Sequence, residues 1–207
     1  MMKTNIKLIS DFLDEVYPQV GCELHYQKDY ELVIAVMLSA QTTDNAVNAV
    51  TKILFNEYNS LEKLAKADLN DIENIIHSIG LYKNKAKNVI GIAQMLIDNY
   101  HGVLPSDKDE LQKLPGVGNK TAGVIRAEIF KIPDLPVDTH ILRISKRLNL
   151  AKKDDGPYEV EMKLKKSFLE SNWIKIHHQL IHFGRDICLA RSPQCQRCKL
   201  TGICKKF

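Results

Sequence analysis

The chain has 207 residues, with 29 Lys and Arg against 25 Asp and Glu, a formal net charge of +4 with histidines neutral. Its 44% hydrophobic and 26% charged residues exclude a disordered or low-complexity chain, and its length suffices to bury a core without cross-links. The charge permits a nucleic-acid partner without requiring one. In chain order, Ile6, Ile9, Phe12, Leu13 and Val16 recur at helical spacing. Asp11, Asp14 and Glu15 stand where a signal peptide would need its apolar stretch, so no export signal is expected. Residues 32–38 (LVIAVML) fall far short of the ~20 residues of a membrane span and read as a buried core helix. Thr43 and Asp44 are cap residues before a helix carrying Val47, Val50, Ile53 and Leu54 on one face, and Ile72, Ile75, Ile76 and Ile79 mark another, closed by Gly80.

After Pro105, Ser106 is predicted to cap a helix that runs to about Leu114, with Asp109 completing a capping-box spacing. Pro115 stops that helix. Gly116 and Gly118 supply the free torsions of a tight hairpin, and Ala122, Ile125 and Ile129 mark the second helix. Such a turn leaves unpaired N–H groups at a helix N-terminus, which either hold a phosphate or belong to an ordinary helical hairpin. Residues 132–136, bounded by Pro133 and Pro136, are the best crossing between two helical lobes, and Asp138 is placed to cap the next helix. No alternating strand pattern or fixed-period repeat is present, so the chain is expected to be all-α, with about ten short helices.

Charge and cysteine are unevenly spread. Residues 139–153 carry Arg143, Lys146, Arg147, Lys152 and Lys153 with no acid, residues 188–207 carry Arg191, Arg197, Lys199, Lys205 and Lys206 with no acid, and Lys83, Lys85 and Lys87 form a third basic group. Acids gather elsewhere, as in residues 68–73. Four of the five cysteines, Cys188, Cys195, Cys198 and Cys204, fall within the final 20 residues. A disulfide framework would spread them more widely, and in a reducing compartment this clustering points to metal, with zinc and iron–sulfur both compatible with the spacing. Cys22 reads as a small buried hydrophobe, and His177, His178 and His182 as structural.

The stretch 114–122 (LPGVGNKTA) resembles the helix-hairpin-helix of the endonuclease III branch of DNA glycosylases. The resemblance extends to 38–44 (LSAQTTD), 79–86 (IGLYKNKA), 137–140 (VDTH) and the terminal cysteines, in order and spacing over roughly residues 5–204. It implies two helical lobes with a DNA cleft between them. Residues 22–132 would form a six-helix domain with the hairpin, and 1–21 plus 133–207 the domain of a [4Fe-4S] cluster on Cys188, Cys195, Cys198 and Cys204. It further implies a base-excision repair enzyme that removes oxidised pyrimidines and cleaves the abasic strand by β-elimination. Lys120 would be the amine that forms a Schiff base at C1′, and Asp138 the carboxylate that assists it. Gln41 would fill the hole facing the orphan base and Leu81, with Ile79 near it, would wedge into the stack, although Ile79 and Leu81 also fit a plain hydrophobic helix end. Gly116, Gly118, Arg143 and Arg191 complete the expected DNA contacts.

The partner so implied is double-stranded DNA containing damaged bases or abasic sites, engaged by a monomer in the cytoplasm, at the nucleoid in a bacterium, with no membrane contact. Asn119 stands where the family often has a basic residue, one phosphate contact fewer. Two rivals make different predictions. A monofunctional adenine-type glycosylase, whose members usually lack the lysine, would remove a base without nicking, and a non-catalytic helix-hairpin-helix module with a structural metal would bind abasic DNA without reaction.

Overall fold

The computed structural model describes residues 2–205, in which the secondary structure is helical and no strand occurs. The α-helices of these residues are α1 (Met2–Val16), α2 (Asp29–Leu38), α3 (Asp44–Glu57), α4 (Leu61–Ala65), α5 (Leu69–Ile76), α6 (Tyr82–Tyr100), α7 (Lys108–Lys113), α8 (Asn119–Ile129), α9 (Thr139–Arg147), α10 (Pro157–Ser167) and α11 (Trp173–Asp186). None is long and apolar enough to cross a membrane. They divide between two units, Glu23–Lys131 with α2 to α8, and Met1–Cys22 with Ile132–Phe207, which holds α1 and α9 to α11.

The unit of residues 23–131 is built around α2. Its residues from Glu31 to Leu38 are all buried because α3, α6 and α8 pack around it, which explains an apolar run without a polar face. Glu31 is the polar exception, and its carboxylate accepts the Gln27 and Lys28 N–H groups at 2.7 and 3.2 Å. Thr43 caps α3 as expected, its hydroxyl accepting the Ala46 N–H at 3.3 Å. Val47, Val50 and Leu54 are buried, but Ile53 points outward at 49% exposure, one position off the buried stripe. Ile72, Ile76 and Ile79 enter the core. The residue that turns the chain between α5 and α6 is Leu81, left-handed at φ 61°, and not Gly80.

The other unit buries Ile9, Phe12 and Leu13 of α1 against α11, where Phe12 and Phe183 meet edge to face at 5.6 Å. Each fully buried side chain of this size contributes about 1.5–3 kcal/mol, so this apolar face outweighs any polar contact in the unit. Gly184 lets α9 and α11 approach closely, because a Cβ there would lie 2.8 Å from the His140 Cβ. Two buried acids, Asp134 and Glu161, share the Lys165 ammonium at 2.5 and 2.6 Å, with the Trp173 ring 5.3 Å from the same nitrogen. His177 is buried with Nδ1 3.0 Å from the Pro136 carbonyl, a structural role, as expected of it. Cys22, expected in the core, is partly exposed.

Candidate functional site

In the unit of residues 23–131, the hairpin joins α7 to α8. The cap of α7 is Asp107 and not Ser106: its carboxylate accepts the Asp109 and Glu110 N–H groups at 2.9 and 3.0 Å, which moves the helix start one residue on. One carboxylate oxygen of Asp107 accepts both donors, and its negative charge suits the positive end of the helix better than a neutral hydroxyl would. Between the helices, the Val117 N–H donates to the Leu114 carbonyl at 3.0 Å, and Gly116 takes φ 77°. Gly116 is required twice over. A Cβ there would strike Asn88 Nδ2 at 2.5 Å and Met37 Cγ at 2.9 Å. Gly118 differs from the expectation of a free torsion, being extended at φ −96° and ψ −178°, with open space where a Cβ would stand. It is the N-cap of α8 and carries no side chain to satisfy the first-turn N–H groups, so those donors and the positive end of the helix face outward. Lys120 is exposed in that first turn.

Two further turns of the same unit present exposed side chains. Gln41 follows α2 in a left-handed conformation at φ 55° and is exposed, and Leu81 caps α6 at 59% exposure. Ile79, expected near the wedge, faces inward. It is 3% exposed and closes the end of the α5 segment, so its side chain supports the turn and does not project from it. Lys85, grouped by sequence with Lys83 and Lys87 as a surface cation, is likewise buried, at 4% exposure. Its Nζ donates to the Ala40 carbonyl and to Thr42 Oγ1, both at 2.8 Å, and desolvation holds its pKa below the ordinary lysine value.

The other unit carries Asp138, which caps α9 by accepting the Ile141 N–H at 2.7 Å, so its carboxylate is fixed and half-buried. Arg143, expected to meet phosphate, is spent internally. Its guanidinium donates to the Gly184 carbonyl at 2.8 Å and to the Cys188 carbonyl at 2.9 and 3.1 Å, satisfying acceptors that the end of α11 leaves open. Arg147 donates to the Leu189 and Ala190 carbonyls at 2.7 and 3.1 Å and reaches Cys188 Sγ at 3.2 Å. Arg197 grips Asp186 at 2.9 and 3.1 Å, and Lys199 pairs with Glu15. Arg197 holds the Asp186 carboxyl below its usual range, and the Tyr17 hydroxyl donates to the same carboxylate at 3.0 Å. Arg191 is exposed, and Lys206 lies outside the described residues.

Cys188, Cys195, Cys198 and Cys204 are not paired in disulfides and line one cavity together with Leu148, Phe183 and Ile187. Burial, and then the neighbouring cysteines, push the Cys198 thiol up. Four cysteines on one apolar hollow are a soft donor set that suits a thiolate-ligated metal centre. The Arg147 N–H on Cys188 Sγ is the type of contact that orients such a ligand.

Residues 34–169 match the family described as HhH-GPD superfamily base excision DNA repair protein. Endonuclease III of Bacillus subtilis (strain 168) is 45% identical over 205 residues, covering 98% of this chain and 94% of that protein, and endonuclease III of Escherichia coli (strain K12) is 37% identical over 193 residues, covering 93% and 91%. A solved structure of a trapped endonuclease III–DNA covalent intermediate, an estranged-adenine complex, superposes with a TM-score of 0.95 at 46% identity, covering 99% of this chain and 96% of that one. The helical hairpin, the exposed lysine in its second helix and the terminal cysteines thus sit in a chain that belongs to the endonuclease III family of the HhH-GPD base-excision DNA repair superfamily.

Proposed function

We propose that Lys120 and Asp138 are the reacting pair of this base-excision repair enzyme, a bifunctional DNA glycosylase and abasic-site lyase, and that its substrates are oxidised pyrimidines in duplex DNA. The observation that carries the reading is the position of Lys120, exposed in the first turn of α8 beside N–H donors that no side chain caps. A phosphate held by those donors brings the sugar within reach of the lysine nitrogen. Asp138, fixed by the Ile141 N–H, stabilises as a carboxylate the positive charge developing on the sugar and takes up the proton that the attacking nitrogen sheds as it bonds. Lys120 Nζ bonds to C1′, the C1′–N bond breaks, and the base leaves with the electron pair and a proton. Ring opening gives the Schiff base. Loss of a C2′ proton expels the 3′ phosphate and cuts the strand, and hydrolysis returns the amine.

Gln41 and Leu81 fill the space vacated by the extruded nucleotide, whose unstacking costs a few kcal/mol. The lysine argues against the monofunctional adenine-type reading, because a pure hydrolase needs no amine in that place. Borohydride should trap the wild-type protein covalently on DNA holding an abasic site. Trapping that survives in Lys120→Ala would overturn the assignment.

The four terminal cysteines hold a [4Fe-4S] cluster in this reading, supported by their shared apolar cavity and by the family. When bound, the cluster supplies a rigid cross-link for a tail that has little core of its own. Iron and acid-labile sulfide in equal amount, both lost in Cys195→Ser, are expected, and stoichiometric zinc in a colourless wild-type protein would contradict it. The place of action is the cytoplasm, at the DNA.

A further inference from the structure

A lysine ammonium is removed from water only where hydrogen bonds compensate, and a methionine would fill the same volume at lower cost. Lys85 is 4% exposed, and both of its Nζ acceptors, the Ala40 carbonyl and Thr42 Oγ1 at 2.8 Å, flank Gln41. Thr42 Oγ1 in turn donates to the Ala40 carbonyl at 3.3 Å, so the ammonium closes a small ring of polar atoms beneath the loop. Gln41 stands at φ 55° and the loop bears it without a glycine. Lys85 lies in the first turn of α6, where its N–H makes the ordinary i→i−4 bond at 3.1 Å to the carbonyl of the cap residue Leu81, which stands at φ 61°. The Lys85 side chain therefore ties the Gln41 turn to the helix that Leu81 caps, linking two exposed, left-handed turns forty positions apart in sequence.

We propose that Lys85 is a positioning residue for duplex opening, locking the Gln41 and Leu81 turns together so that both side chains enter the gap left by the extruded nucleotide as one rigid pair. This rests on the reading that Gln41 and Leu81 occupy that gap. Lys85 touches no reacting atom. Its removal should spare the Schiff-base chemistry and weaken the step that separates duplex from single-stranded substrate.

The test compares single-turnover cleavage of one preformed abasic site in a duplex, with 2-aminopurine opposite the site, and in a single strand, where no orphan base or gap exists. In Lys85→Met the ratio of duplex to single-strand rate should fall about ten-fold, since small misplacements of positioning groups cost this much or more. The fluorescence rise of 2-aminopurine on binding should shrink with it. Lys85→Arg should recover part of the ratio, and Thr42→Val, which removes one of the two acceptors, should lower it about three-fold. A duplex to single-strand ratio unchanged in Lys85→Met, or equal losses on both substrates, would overturn the proposal. Should Lys85→Met fail to fold, the ratios in Lys85→Arg and Thr42→Val decide by the same criterion. Wild-type protein that cleaves neither substrate would instead overturn the underlying assignment of the site.

Discussion

Lys85 places a charge where both acceptors are neutral oxygens and water is excluded. Desolvation lowers its pKa, whereas in the unfolded chain a lysine titrates near 10.4. Below the depressed folded value both states hold the proton and the full cost of burying the charge is present. As pH rises through that value the folded protein sheds the proton while the unfolded chain keeps it, so the cost is relieved up to about pH 10.4. Wild type should therefore gain stability relative to Lys85→Met as pH is raised from about 7.5 to about 10, read from urea midpoints. A difference between the two proteins that is flat or shrinking with pH would contradict this account. Lys85 also shows where reading the chain stops. Its spacing from Lys83 and Lys87 carries no sign that one of three alternate lysines turns inward, because the loop it serves lies more than forty residues away.

At the scale of elements, the hairpin separates two glycines with opposite demands. Gly116 needs both the left-handed torsion and the missing Cβ, because Asn88 and Met37 close over it. Gly116→Ala should cost about 2–4 kcal/mol in denaturant unfolding, adding torsional strain to overpacking. Gly118 has ordinary torsions and open space, so Gly118→Ala should change stability by less than about 1 kcal/mol, and it should weaken binding to abasic duplex DNA if a phosphate approaches the start of α8 where the methyl would stand. The reverse ranking of the two on stability would refute the geometry. Much of this element was legible beforehand. Proline and glycine set the hairpin, Thr43 and Asp138 the caps, and the apolar run the central helix, because each acts through neighbours in sequence. What escaped depends on packing across elements. Ile79 and Leu81 both read as apolar residues at a helix end, and only the fold sends one into the core and leaves the other at 59% exposure. The shift of the α7 cap from Ser106 to Asp107 is local but turns on geometry that two adjacent cap residues do not reveal.

Across the whole molecule, the excess of four positive charges is a poor guide to DNA affinity because cations with the same formal charge are committed differently. Arg143, Arg147, Arg197, Lys165 and Lys199 are engaged with carbonyls or carboxylates inside their own unit, whereas Lys83, Lys87, Lys120, Lys152, Lys153 and Arg191 are exposed. A cation already hydrogen-bonded to protein carbonyls releases no counterion from DNA, so the salt dependence of binding should report the exposed set alone. Arg191→Gln should reduce the slope of log affinity against log salt by about 1 if its guanidinium meets a phosphate, with stability unchanged. Arg143→Gln should leave the slope as it is and destabilise its unit by about 1–3 kcal/mol, because the Gly184 and Cys188 carbonyls lose their donor. Affinities for abasic duplex measured across a range of salt, beside denaturant midpoints for the same two variants, test the division. An Arg143→Gln protein of wild-type stability with a shallower slope would return that arginine to the DNA surface, and with it the view that basic stretches of sequence can be counted as phosphate contacts.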